Sequence, residues 1–387
     1  MLIPTERRGT DSAKWNRHAE AGRDILPFWV ADMDFVSPPP VVEALRARVE
    51  HGVFGYADAP QSCVEAVQAY LQARHGATVP EEWIVWLPGM VPGLAVASKA
   101  AGAAGDDVMI MTPVYPPFFS CPRSAGRGLV AGPLGCDGEK RRYFVDLEAL
   151  EATRTGRTRL LILCNPHNPV GRVFDDQELA AVRRFCARHD IVLCSDEIHC
   201  DLILDEDKTH RTAIPWEGED GLRTITLMAP SKTYNIAGLG LSFAVIPDAP
   251  LRRAFRHAQR CFVPDPNVFS YAATEAAYRH GEPWRRELVA QLRANRDRAR
   301  AVLDNLPGLR TYPVEATYLL WIDARGLGCD DPHRFLLDRA GVFLSPGADF
   351  GAPGFLRLNF GCAPATLDEG LARIARAVAG LRTPAGA

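Results

Sequence analysis

The sequence predicts an α/β protein, a mostly parallel sheet flanked by helices plus a smaller α+β unit, on three observations. Short apolar runs alternate with helix-period stretches through the middle of the chain. Several of those runs are bounded by turn residues. From about residue 280 the character changes to long Arg- and Glu-rich helical stretches. A chain of 387 residues also exceeds the size at which one core stops growing, so two lobes are expected. Residues 47–280 are assigned to the large lobe, and residues 1–46 with 281–387 to the smaller one.

In chain order, Ser37-Pro-Pro-Pro precedes a first helix. Ser62 and Glu65 have capping-box spacing, which predicts a helix opening there with Val64, Val67 and Leu71 on one face and closing at His75-Gly76. Gly89-Met90-Val91 opens another helix. Buried strands are predicted over 106–113, 158–164, 190–197, 223–229 and 241–247. A helix with Leu179, Val182, Phe185 and Cys186 at helical spacing separates the second strand from the third. Beyond residue 280 come the helical stretch PWRRELVAQLRANRDRARAVLDNL, the apolar segment ATYLLWID and a final amphipathic helix. Strands alternating with helices argue for a parallel sheet, and ligands of such sheets collect at the carboxyl ends of the strands.

Composition excludes several classes of function. The 44 Lys+Arg against 47 Asp+Glu give a net charge of -3 with no long run of either sign, so neither nucleic acid nor a membrane surface is an expected partner. The start, MLIPTERRGTDSAKWN, lacks an apolar core of a signal peptide, and no stretch is apolar enough to span a bilayer; a cytoplasmic protein is expected. The 10 cysteines include no CxxC pair, and Cys164, Cys186, Cys194 and Cys261 fall in apolar or helical segments. They read as reduced, buried thiols, with no metal site expected. Fingerprints such as GxGxxG, GxxxxGK[ST], HExxH and GxSxG are absent.

The residues near the strand ends match the demands of pyridoxal 5′-phosphate chemistry: an amine, an anion for the pyridine nitrogen, a flat ring to stack on and donors for the phosphate. Lys232 follows the strand RTITLMA in a stretch of small residues; alone it would read as a solvated loop lysine. Asp196 ends the apolar strand IVLCSDE, where a carboxylate is costly unless paired, although a helix N-cap is the plainer reading. His199 and Asn168 could reach the phenolic oxygen of such a cofactor, and each could equally be a packed histidine and an Asn-Pro turn. Tyr115 offers a flat face, or a core ring. The free N–H groups at Met90 and Val91 suit a phosphate, and Ser231 can add a hydroxyl. Arg357 lies within the apolar strand FLRLNFGC and calls for a planar anion: a substrate α-carboxylate, or one of the chain's own acids such as Asp323 or Asp349.

The order and spacing of Asn168, Asp196 and Lys232, with Tyr115 before and Arg357 after, resemble the fold-type I pyridoxal-phosphate enzymes of the aminotransferase class I and II group. The segments PFWVADMDFVSPP, GVFGY, TPVYPPF, NPHNPVGRVF, SDEIHCDL, SKTYNIAGLG and ATYLLWID look like the cystathionine β-lyase branch of MalY/PatB type. The resemblance covers nearly the whole chain. It implies that Lys232 holds the cofactor and shuttles protons, and that Asp196 faces the pyridine nitrogen. Tyr115 would stack, Asn168 and His199 would meet the phenolate, and Arg357 would clamp the substrate carboxylate. Tyr56 would reach the phosphate of a neighbouring subunit, making a homodimer the active unit. Two positions depart from the pattern of many aminotransferases: Gly240 replaces an arginine eight residues after the lysine, and Ala229 a serine three before it. The missing arginine is usual in the β-lyase branch.

The implied activity is α,β-elimination from L-cystathionine or another S-substituted L-cysteine, giving a thiol, pyruvate and ammonia. Alternatives are a pyridoxal-phosphate aminotransferase, an enzyme of specialised metabolism acting on a larger cysteine S-conjugate, and a regulatory protein that works by binding a partner.

Overall fold

The computed structural model describes residues 2–19, 22–214 and 222–381. Two sheets organise them. The larger has seven strands in the spatial order Ile84–Leu87, Ser242–Val245, Thr224–Met228, Val192–Asp196, Thr158–Cys164, Asp107–Thr112 and Gly128–Pro133. Pairing is parallel except along Ser242–Val245, which runs antiparallel to both neighbours. The apolar runs and the mostly parallel sheet were therefore read correctly, but the reversal of Ser242–Val245 was not legible, because a fully buried strand looks the same whichever way it runs. Register brings Cys164 beside Asp196 and Asp196 beside Leu227, so the carboxyl ends of three adjacent strands share one edge of the sheet.

Helices cover this sheet. In Met90–Ala100, Leu94 and Ala97 pack with Ile110, Ile162, Cys194 and Ile225. On another cluster, Val182, Phe185 and Cys186 of the helix Asp176–Arg188 pack with Leu161 and Leu193. The helix Gln61–His75 buries Val64, Val67 and Leu71 and ends at Gly76, but Ser62 and Glu65 form no capping box. Pro60 is its N-cap residue, and the Ser62 hydroxyl donates to Glu275 instead, at 2.8 Å. Among the described residues a capping box is formed by Asp175 with Glu178. Cys164, Cys186 and Cys194 are buried thiols; Cys261 is exposed, in the turn after the helix Ala249–Gln259, contrary to expectation. The apolar neighbours of Cys261 belong to the helix, and the cysteine falls two residues past its end.

The second sheet has five strands in the order Leu26–Phe28, Val342–Pro346, Phe355–Asn359, Leu319–Asp323 and Arg310–Thr311, backed by the helices Glu282–Leu303 and Pro364–Gly380. The N-terminal segment thus supplies an edge strand to a sheet otherwise built from the C-terminal third. No helix among the described residues is long and apolar enough to cross a membrane.

A buried charge cluster ties the two sheets together close to Asn168. The Arg172 guanidinium, 1% exposed, donates to Glu315 at 3.0 Å, to Glu178 at 2.6 Å and to the Tyr143 carbonyl at 2.6 Å. Glu315 also accepts from Arg142 at 3.0 Å and from the Val173 N–H at 2.8 Å. Removing one member of such a cluster leaves the others buried and short of a partner. Glu315→Ala is expected to lower unfolding free energy by about 3 kcal/mol, read as a fall in the urea midpoint at unchanged slope. A loss below about 1 kcal/mol would show that Arg172 is satisfied without it.

Candidate active site

Four strand ends deliver the site. Tyr115 follows Asp107–Thr112, Asn168 follows Thr158–Cys164, Asp196 closes Val192–Asp196, and Lys232 comes four residues after Thr224–Met228. All four line a single cavity of about 430 Å³, together with His199 and Arg357. Met90, Val91 and Ser231 line it as well. Met90 and Val91 open the helix whose N-cap is Gly89, where backbone N–H groups have no partner within the helix. Tyr56 does not line this cavity: it lies in the irregular segment between two helices and is fully exposed.

The amine of Lys232 donates to the Ala31 carbonyl at 2.6 Å, and the same oxygen accepts from the buried Tyr318 hydroxyl at 2.9 Å. Burial, with Arg357 nearby, lowers the Lys232 pKa to about 8, against the raising effect of Asp32 and Asp196. Asp196 is 3% exposed and accepts from the Ile198 N–H at 3.2 Å. Burial, aided by the neighbouring Glu197, raises its pKa to about 7, and Lys232 and the Ile198 N–H offset only part of that. A cationic partner facing it from the cavity would return it to a full carboxylate. Next to it, Glu197 accepts from Ser195 at 2.9 Å and from the Ala213 N–H at 2.7 Å, and contacts His210 at 2.8 Å. Burial opposes its charge, yet His210 holds Glu197 below the usual carboxylate range.

His199 is buried, and burial with Lys232 and Arg357 nearby pushes its pKa down to about 3, so the ring is neutral. Its Nδ1 has no hydrogen-bond partner among the described residues. Arg357 lies in the strand Phe355–Asn359, opposite Trp321 and Ser345. Its guanidinium donates to Asn168 Oδ1 at 3.0 Å, to the Trp29 carbonyl at 2.6 Å and to Ser345 Oγ at 3.2 Å, while Nε is buried without a partner. Asp323 is taken by Arg325 at 2.7 Å, and neither Asp323 nor Asp349 bonds to Arg357. An arginine buried among neutral acceptors awaits an anion.

These are the features a pyridoxal phosphate requires of its site: an amine, a buried carboxylate short of a cation, two orphaned buried polar atoms and a helix start for the phosphate. Gly240 explains why no arginine helps there. It has φ +63, and a Cβ on it would come within 2.8 Å of the Pro88 carbonyl, so the backbone is too close for any side chain.

Several contributors were not singled out from sequence. Trp29 and Ala31 act through main-chain carbonyls, which no side-chain pattern reveals, and Ser345 lies in an ordinary apolar strand. Arg17 also lines the cavity, and an isolated surface charge carries no signal in one sequence; Asp349, considered from sequence only as a partner of Arg357, lines it too.

Comparison with known proteins agrees with this geometry. The family described as aminotransferase class I and II matches residues 23–374. The cystathionine β-lyase PatB of Bacillus subtilis (strain 168) is 40% identical, over 96% of this chain and 98% of that protein. Among solved structures, OvoB superposes with a TM-score of 0.93 at 42% identity, over 99% of this chain and 98% of that one. The PLP-bound C-S lyase from Staphylococcus hominis does so with a TM-score of 0.89 at 30% identity, over 97% of each chain. On the strength of a match that runs through both sheets and every strand end of the cavity, the chain belongs to the aminotransferase class I and II family.

Proposed function

We propose that the protein is a pyridoxal-phosphate-dependent C-S β-lyase that cleaves L-cystathionine, or another S-substituted L-cysteine, by α,β-elimination to a thiol and aminoacrylate, which takes up one water to give pyruvate and ammonia. The observation that carries this reading is the joint presence, in one cavity, of the Lys232 amine, the Asp196 carboxylate and the Arg357 guanidinium. The full-length likeness to a cystathionine β-lyase supports elimination over other reactions of the family.

Asp196 would face the ring nitrogen of a bound pyridoxal phosphate, which would supply an electron sink for the pair left at the substrate α-carbon. The chain's residues do the rest. Arg357 holds the α-carboxylate through its fork and fixes which bonds of the α-carbon face the amine. Lys232, with a pKa near working pH, takes the α-proton on Nζ and can return it, and the Ala31 carbonyl holds that nitrogen in place. Asn168 bridges Arg357 and the cofactor side of the cavity, while neutral His199 offers Nδ1 without adding charge. Met90, Val91 and Ser231 are assigned to the phosphate and Tyr115 to the ring face.

The active unit in this reading is a cytoplasmic homodimer in which Tyr56 completes the phosphate site of the partner. Support comes from Tyr56 being fully exposed beside Val53 and Phe54, which are also exposed, a grouping of apolar surface that marks association sites. The division into a large lobe at 47–280 and a small lobe at 1–46 with 281–387 belongs to the same proposal. Sedimentation of the holoenzyme should give twice the 42.4 kDa chain mass; a fully active monomer would remove the shared site. For the reaction, incubation with L-cystathionine should release pyruvate with no 2-oxo acid added. Turnover that needs a 2-oxo acid would identify a transaminase instead.

A further inference from the structure

Two exposed charged side chains line the cavity without an ion-pair partner among the described residues. Arg17 follows the short helix Ala13–Asn16, and its guanidinium lies over the Trp29 ring, 5.2 Å from the centroid. Asp349 lies in the turn Gly347–Phe350, directly after the strand that carries Ser345. Both line the cavity that holds Lys232 and Arg357, and both are exposed, which puts them at its opening. Neither side chain makes a hydrogen bond or an ion pair with a described residue, although the Asp349 charge also acts on Arg357. Charges nearby in sequence do find partners: Arg7 pairs with Asp32, Arg8 with Glu6 and Lys14 with Asp34.

We propose that Arg17 and Asp349 form a subsite for a zwitterionic, amino-acid-like group at the far end of the S-substituent. This rests on the β-lyase reading, because it takes the substrate's α-carboxylate to be on Arg357 and its amino group to be directed at Lys232. The β-substituent is then the part left to reach the opening. A second amino-acid head there offers its carboxylate to Arg17 and its ammonium to Asp349. A neutral chain satisfies neither charge, and a singly charged one meets a like charge at one of the two positions. The pair therefore selects the zwitterion by attraction and rejects other heads by repulsion. Trp29 serves as a positioning residue, holding the Arg17 guanidinium over its ring.

The test uses holoenzyme and the change in cofactor absorbance on titration with L-cystathionine or with S-propyl-L-cysteine, which has the same chain without the distal head. The wild type should prefer L-cystathionine. Arg17→Gln and Asp349→Asn should each cut that preference roughly three-fold, and together about ten-fold, as expected for exposed ion pairs. Arg17→Lys should keep most of it, and added salt should erode it. A wild type without the preference, or variants that retain it in full, would overturn the subsite. Pyruvate release is scored separately in the same samples. No pyruvate from either compound, with the preference present and lost in the variants, would sink the lyase reading and leave the subsite standing.

Discussion

Lys232→Ala is expected to lower turnover of L-cystathionine at least about 10³-fold while the variant remains folded. In the proposed reading the lysine would have two tasks, holding the cofactor through its amine and moving the α-proton as a base. A positioned acid–base group alone contributes roughly 10²–10⁴-fold, and loss of the nucleophile adds to that. Both tasks need an unprotonated amine near neutral pH, and burial brings Lys232 to about 8, within reach of that condition. Lys232→Arg should fail as well, since a guanidinium keeps its proton throughout the working range. The chain has only five lysines: Lys14, Lys99, Lys140, Lys208 and Lys232. Lys14 is buried against Asp34 at 2.7 Å, and only Lys232 lines the cavity. Borohydride reduction of the holoenzyme followed by peptide mapping should therefore label the peptide containing Lys232. Label on any of the other four would end the assignment.

Arg357→Lys should reduce kcat/KM for L-cystathionine by ten-fold or more with little change in cofactor content. The guanidinium is 4% exposed and spends its donors on Asn168, Trp29 and Ser345, all neutral. Burial pulls its pKa down to about 10, and Tyr115, Tyr318 and Asp349 offset only part of that. A substrate carboxylate would do so through two parallel hydrogen bonds, and a lysine can offer charge but not the fork. Losing a desolvated, charge-assisted pair is worth on the order of 2–5 kcal/mol, which corresponds to a drop of at least ten-fold. If the arginine were only a structural strut, the variant would melt earlier yet keep near wild-type efficiency per folded molecule. That result would remove the clamp.

What could be seen in the sequence followed from where polar residues interrupt apolar strands. Asp196 was singled out because a carboxylate ending a buried strand needs a partner, and Lys232, an ordinary loop lysine by itself, because of the residues that accompany it. Asn168 and Tyr115 came from the same logic, and the cavity gathers all four. The helix from Gln61 was placed correctly, but its start was misread: Ser62 has the right spacing to Glu65 and finds Glu275 first, a partner 213 residues away that no local pattern contains. The reversed direction of the strand Ser242–Val245 was invisible for the same reason, since its neighbours are set by tertiary pairing. Trp29 and Ala31 went unseen because they work through backbone oxygens, which every residue has.

The tight approach of Gly240 to the Pro88 carbonyl also bears on how this scaffold can change. Introducing the arginine that many relatives carry would not be a one-codon step, because any side chain at that position collides with main chain that also leads into the helix at Met90. The two loops would have to separate first, and that movement would disturb the N–H groups assigned to the phosphate before the new guanidinium could replace them. Each single change on that route passes through a worse anion site, so directed evolution for tighter cofactor retention should recover substitutions elsewhere, at Ser231, Tyr56 or Ala229, and leave Gly240 alone.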